Sequence, residues 1–309
     1  MALAGRVGEQ AGGRAEVHRD APTDRSPAAA RGFLPVDSLI LGYIGVVSVV
    51  AVARWERLSY VPWVLAANLM IAGLILLVRR PGPGHVGRFL SELYPVFLLL
   101  ALYGMLDLLN PPGGGRIHDQ LVRGWEAAIF GGQVSRDWWR ASPSGFWSTV
   151  FHASYWSYYI IVPLPAFWFA FRHDWRNARR TVRAVLTASI LCYLCFIFFP
   201  VAGPYYEFTR PDAWFVANLP ARMVYGTLAN GSSFGAAFPS SHVAGTVAAA
   251  LSAWMGSRRL GLALLVPTLL LTIGVVYTQM HYGVDALAGI LVGVAGVMAW
   301  REGEVRSEK

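Results

Sequence analysis

The feature that most constrains this chain is a succession of long, nearly uncharged apolar stretches running from about residue 36 to residue 300. A helix needs about 20 apolar residues to cross a bilayer. The stretches fall near 36–53, 60–78, 89–109, 147–171, 183–201, 242–256, 260–279 and 282–300. The expected fold is therefore all-α, a polytopic transmembrane bundle of about eight spans with both termini on one side. Composition agrees, with 55% hydrophobic and only 14% charged residues, where soluble domains carry about a quarter. The sixth stretch is short and has a polar approach, so it is expected to begin below the membrane surface. Residues 1–33 lack apolar periodicity and read as a disordered cytoplasmic tail. They do not read as a signal peptide, because no apolar core follows the start within the usual distance. No internal repeat or soluble domain interrupts the spans.

Charge sets the expected orientation. The net charge is +8, almost wholly from arginine, and the one lysine is Lys309. Basic residues concentrate in short cytoplasmic loops. With the N-terminus inside, the outer segments hold Arg54, Arg57, Arg116, Arg123, Arg136, Arg140, Arg210 and Arg222, leaving 18 of the 26 basic residues inside. The tight loops at 172–183 and 257–259 carry the signal. Both termini are expected to be cytoplasmic. The same bias accounts for the positive charge without a nucleic-acid partner. The Ala-, Gly- and Arg-rich, Lys-poor composition points to a bacterial inner membrane. Cys192 and Cys195 share a face inside an apolar stretch and have no second pair with which to build a zinc site.

Two long outer loops follow. The first, 110–146, opens on the helix stop Pro111-Pro112-Gly113-Gly114-Gly115. Ile117, Leu121, Trp125, Ala128 and Ile129 then recur at helical spacing among Asp119, Arg123 and Glu126, the pattern of a helix lying in the interface. Trp138, Trp139, Phe146 and Trp147 are expected in the aromatic belt. The second loop, 202–241, leads to a histidine.

Phe238-Pro239-Ser240-Ser241-His242 opens the sixth stretch, and His281-Tyr282-Gly283-Val284-Asp285 opens the eighth. Charge counting and span lengths bring both histidines to the outer face at similar depth. His281 and Asp285 are one helical turn apart and share a face. A carboxylate near the membrane interior is costly unless paired. Bonded to one imidazole nitrogen, it fixes the tautomer and leaves the other as a nucleophile or base. His242 begins a helix behind Ser240 and Ser241, whose hydroxyls and N–H groups form an anion cradle. There it is placed to protonate an oxygen leaving phosphorus. The plainer alternative is two interfacial histidines capping helices, with Asp285 as a helix N-terminal charge. Two such motifs on one face favour the functional reading.

Phe-Pro-Ser-Ser-His and His-Tyr-Gly-Val-Asp resemble the second and third signature motifs of the type 2 phosphatidic acid phosphatase superfamily. The resemblance covers about 89–300, a six-helix catalytic membrane domain, and leaves two additional helices in 34–88 and a short tail at 301–309. It implies that His281 attacks phosphorus to give a phosphohistidine, that Asp285 orients it, and that His242 protonates the leaving group, with no metal or other cofactor. The sequence also departs from the family pattern. The first motif of the family has a lysine six residues ahead of an Arg-Pro pair; Arg210-Pro211 is present, but Gly203 stands where the lysine would be. Ser241 replaces the glycine before the first histidine, and Gly274-Val275 replaces a Ser-Arg pair. These departures, with Gly203-Pro204-Tyr205-Tyr206, look more like the inositol phosphorylceramide synthase and sphingomyelin synthase branch. Asp119, Phe130-Gly131 and Tyr155-Trp156-Ser157-Tyr158-Tyr159 resemble bacterial relatives of that branch.

Cations that would replace the missing phosphate-binding pair are Arg210, Arg222, Arg136, Arg140 and Arg123, with Arg210 first because it shares the loop with the motif. Arginine binds phosphate bidentately. Tyr205 is expected at the entrance. His152 either lines the site or belongs to the aromatic interface, and Asp107 is a candidate for activating a hydroxyl acceptor. The expected function is transfer of a phospho-head group from a phospholipid or isoprenoid phosphate to a polyol such as inositol. Two alternatives stay open: a phosphatase using water, and a non-catalytic lipid-binding or transport protein. A transporter tends to show broken helices and paired halves, and the sequence shows neither.

Overall fold

A computed structural model describes residues 33–80, 84–110, 116–231 and 233–300. Apart from Phe33, the expected tails at 1–33 and 301–309 lie outside the described residues, as does the turn at 111–115. Among the described residues the chain is an all-α membrane helix bundle with no strand. In order the helices are α1 (Pro35–Ala53), α2 (Val61–Val78), α3 (Gly84–Leu109), α4 (Asp119–Phe130), α5 (Val134–Ala141), α6 (Gly145–Trp156) and α7 (Tyr158–Ile161). They continue with α8 (Leu164–Phe171), α9 (Trp175–Phe198), α10 (Pro204–Glu207), α11 (Leu219–Gly231), α12 (Ser241–Gly256), α13 (Arg258–Tyr277) and α14 (Gly283–Met298). Of these, α1, α2, α3, α9 and α13 are long and apolar enough to cross a membrane, and α14 is apolar over 16 residues. The protein is a multi-pass membrane protein.

The sequence expectation fails at its fourth stretch. Residues 147–171 are not one helix but α6, α7 and α8 in succession. Pro163 and Pro165 lack the N–H that would bond the carbonyls one turn earlier, and the chain turns between α7 and α8 there. A broken segment is therefore present after all. It wraps its tyrosines around the start of α12, as described below.

The centre of the bundle is α12, packed against α9, α13 and α14. The close approach of α14 depends on glycine. A Cβ on Gly289 would lie 2.7 Å from the Ser240 carbonyl oxygen, and one on Gly293 2.7 Å from that of Ala244. Small residues at this four-residue spacing let two apolar helices touch backbone to backbone. Gly289→Val is expected to push α14 off α12 at the level of the two histidines. Over-packing of this kind costs about 1–3 kcal/mol, to be read as a lowered midpoint of thermal unfolding in detergent. A wild-type midpoint would contradict this contact.

The first two helices are joined to the rest by a buried ion pair. Asp37 on α1 accepts from Arg79 Nε and Nη2, both at 2.7 Å, and from Tyr94 on α3. Arg79 Nη1 reaches the Ser91 carbonyl at 3.0 Å. Both Asp37 oxygens and all three Arg79 nitrogens have partners, the condition under which buried charges are tolerated. Glu92 and Arg179 likewise join α3 to α9.

Helix α4 forms where its periodicity predicts. Ile117, Leu121, Trp125 and Ile129 are exposed, while Asp119 and Glu126 are buried. The helix thus turns its acidic side inward. Trp138, Phe146 and Trp147 are exposed as expected of belt residues, but Trp139 is buried, its indole N–H donating to Gln279 at 3.1 Å.

Candidate active site

Three backbone elements meet at one end of the bundle. After α9 the chain passes through Val201, which pairs with the strap at 233–237 through Val201 N–H to Gly235 O and Ala237 N–H to Val201 O, both 3.0 Å. The strap continues through the cis Phe238–Pro239 bond into α12. There the Ser240 hydroxyl caps the helix by accepting from Val243 N–H, and Ser240 N–H donates to the Asp285 carbonyl at 3.0 Å. The third element is the α13–α14 corner. Gln279 adopts φ 60°, and Met280 and His281 both donate back to the Val275 carbonyl at 3.0 and 2.9 Å. This ends α13 with a left-handed residue and a five-residue back-bond, a common way to satisfy terminal carbonyls.

These elements bring His242 and His281 together, with ring centroids 5.9 Å apart. His281 Nδ1 lies 3.0 Å from the Ala237 carbonyl oxygen and 3.4 Å from Asp285 Oδ2. A carbonyl can only accept, so Nδ1 carries the proton and Nε2 holds the free lone pair. Asp285 Oδ2 also accepts from Tyr282 N–H at 2.8 Å, which fixes the carboxylate at the N-terminus of α14. His242 is sandwiched by Tyr155 and Tyr158, each ring 4.5 Å away, and its Nδ1 has no partner in the protein.

Both histidines line a cavity of about 110 Å³, with Ser241, Tyr103, Tyr155, Tyr158, Tyr159, Tyr205 and Tyr206 among its walls. No arginine or lysine lines it among the described residues. Among the described residues the two imidazoles are its only cationic or potentially cationic groups.

The other sequence candidates separate. Tyr205 and Ser241 line the cavity, whereas Ser240, wholly buried, caps the helix behind it. Arg210 stacks on Tyr205, its guanidinium carbon 3.2 Å from the ring centroid, and does not line the cavity. Arg222 is exposed on α11 and does not line the cavity. Arg123 pairs with Glu207, Arg136 with Asp137, and Arg140 bonds Gln279 and the Thr209 carbonyl. Asp107 is exposed on α3 and bonds the strap at Ser233 and Phe234. His152 belongs to a different cluster. It donates from Nδ1 to the Ser148 carbonyl at 2.7 Å and packs against Phe215 and Tyr225, outside the cavity.

The departures from the family motifs have a packing cause. Gly203 has φ 93°, and a Cβ there would come within 2.9 Å of Ala237 Cβ, so a lysine does not fit this backbone. A Cβ on Gly274 would lie 2.9 Å from that of Phe151, and Val275 is fully buried. One position that would carry a cation serves the close approach of the strap at Ala237, and the other the packing of α13 on α6.

Two carboxylates that hold the site were named from sequence, Asp119 for a family resemblance and Glu126 as part of an interfacial helix, but neither was given this role. Asp119 accepts from Ala202 N–H, Gly203 N–H and Tyr282 Oη at 2.7, 2.8 and 3.0 Å. Glu126 accepts from Gly283 N–H at 2.9 Å and from Ser135. Burial raises the Glu126 carboxyl above the ordinary range, while these donors pull it down. Together the two carboxylates bolt α4 to the two residues that follow His281 and to the turn at Ala202-Gly203. Their seven-residue spacing on a helix whose opposite face is apolar was the available signal.

The family model described as the PAP2 superfamily matches residues 128–299, more than half of the 309 residues. No curated protein and no solved structure matches.

Proposed function

The chain belongs to the PAP2 superfamily, and from that premise we propose that it is a membrane phosphotransferase that moves a phospho-head group between lipid and alcohol. Membership supports a phosphatase-like, lipid-related function with a phosphorylated lipid as substrate. In our reading His281 Nε2 attacks phosphorus, the P–O bond to the departing alkoxide breaks, and His242 delivers the proton that alkoxide needs. The resulting phosphohistidine is then attacked by a second hydroxyl, whose proton passes to His242. Asp285 and the Ala237 carbonyl hold the Nδ1 proton throughout. We place this chemistry at the outer face of a bacterial inner membrane, on the strength of the arginine bias.

The observation that carries the transferase reading is the cavity's lack of arginine and lysine. A phosphomonoester is largely a dianion near neutral pH, and burying it without cations is costly. A phosphodiester carries one negative charge, which one protonated imidazole balances. Lipid phosphodiesters are head-group donors, so the charge count favours transfer from such a lipid. The water-using phosphatase remains the second reading, because acceptor choice lies in pocket shape. The break between α6 and α8 removes one sequence argument against a transporter. The ordered Nδ1 proton of His281, which leaves Nε2 free toward the cavity, supports the enzyme reading.

The test is mass spectrometry of products from purified protein and lipid extract, with and without added inositol. An exchanged head group is the expected result. Free phosphate with a dephosphorylated lipid would replace transfer with hydrolysis.

A further inference from the structure

A second cavity, of about 250 Å³, opens at the same end of the bundle, across the strap from the histidines. By the same measure one water needs about 10–15 Å³, so this space is large enough for a ligand of many atoms. Its walls include Arg54, Arg57 and Arg116, with His118 and Asn110, and among the described residues no aspartate or glutamate. Phe234 lines it, while its neighbours Ser233 and Ala236 line the histidine cavity.

The three guanidinium groups differ in their partners. Arg54 is built into the fold: Nη1 donates to the Leu109 carbonyl and Asn110 Oδ1, both 3.0 Å, and Nη2 to the Ile197 carbonyl at 3.2 Å. It therefore holds the ends of α1, α3 and α9 together. All three of its acceptors are neutral, so its charge is not cancelled. Burial and the nearby Arg57 charge lower its affinity for the proton. Arg57 and Arg116 form no ion pair among the described residues. Three like charges around one hollow repel one another, and an anion seated between them would relieve that cost. The remaining walls include Leu58, Leu109, Ile117 and Phe198, and Phe198 is 62% exposed. A polar, cationic floor beside apolar walls suits a phosphate group with an apolar substituent.

We propose that this arginine-lined cavity is a second anion site that binds a phosphate ester, separate from the histidine cavity. Arg57 and Arg116 grip the phosphate oxygens bidentately, and Arg54 supplies fixed positive charge behind them. The source of the phosphate is either a lipid head group of the surrounding leaflet or a soluble phosphate.

The test uses full-length protein and the double variant R57Q/R116Q, which leaves Arg54 and both histidines in place. Both side chains are exposed, so folding is not at risk, and unchanged thermal unfolding checks this. One arm measures binding of inorganic phosphate in detergent by calorimetry. The other measures lipid retained by protein taken from vesicles of equal phosphatidylglycerol and phosphatidylcholine, by native mass spectrometry. Wild-type protein is expected to bind in at least one arm, with the double variant weaker by about tenfold or more. Loss in the calorimetric arm identifies a soluble phosphate, and loss of selective phosphatidylglycerol retention identifies a head group. Equal behaviour of wild type and variant in both arms overturns the proposal, as does absence of selective binding in both.

Discussion

His281→Ala is expected to reduce turnover of any lipid substrate by about 10⁴-fold or more, the scale seen when a covalent nucleophile is removed. The reason lies in how tightly one proton is located. Nδ1 of His281 faces two acceptors, the Ala237 carbonyl at 3.0 Å and Asp285 at 3.4 Å, so the free lone pair sits on Nε2. A peptide carbonyl is no nucleophile toward phosphorus, and the Asp285 carboxylate is wholly buried and does not line the cavity. The neighbouring His242 cannot substitute, because its ring is clasped between Tyr155 and Tyr158 on a different helix. Phosphate release or head-group exchange measured on purified wild type and variant decides the matter. A labelled phosphate bound to wild-type protein, stable to base and labile to acid, should be absent from the variant. Substantial activity in His281→Ala would rule out the phosphohistidine route.

His242→Ala should cost about 10²–10⁴-fold, the usual contribution of a general acid, and its cost should depend on the leaving group. An alkoxide needs a proton as it departs, whereas a nitrophenolate does not. With a nitrophenyl phosphodiester as substrate, the deficit of the variant is therefore expected to shrink to about tenfold or less. The geometry favours this division of labour. The rings of His242 and His281 are 5.9 Å apart, which leaves room for one phosphorus centre between them. His242 Nδ1 has no protein partner, so nothing in the fold competes for its proton. Equal losses on both substrates would instead make His242 a residue that positions the phosphate.

The helices themselves were largely legible. Six of the expected stretches correspond to α1, α2, α3, α12, α13 and α14 to within a few residues, because apolar length is a local property of the chain. The fifth begins at Trp175, eight residues before its expected start at residue 183, where arginines on an amphipathic turn hid the helix. The fourth misled, since its hydropathy is unbroken while Pro163 and Pro165 interrupt its hydrogen bonds. Trp139 was placed in the belt on composition, although its partner Gln279 lies 140 residues away.

For the site, the sequence alone singled out the candidate side chains. His242, His281 and Asp285 stand in short motifs whose spacing is set by one turn of helix, and the family follows from them. Only the tertiary structure decided which nitrogen of His281 is free, because the acceptor that orders it is the backbone of Ala237, 44 residues away. It also decided that the candidate arginines stay outside the cavity. A guanidinium reaches several ångströms in any direction, and its position depends on the aromatic faces and carbonyls of distant segments, such as Tyr205 for Arg210 and Thr209 for Arg140. Local spacing fixes a histidine–aspartate pair. Long-range packing decides where a flexible cation comes to rest.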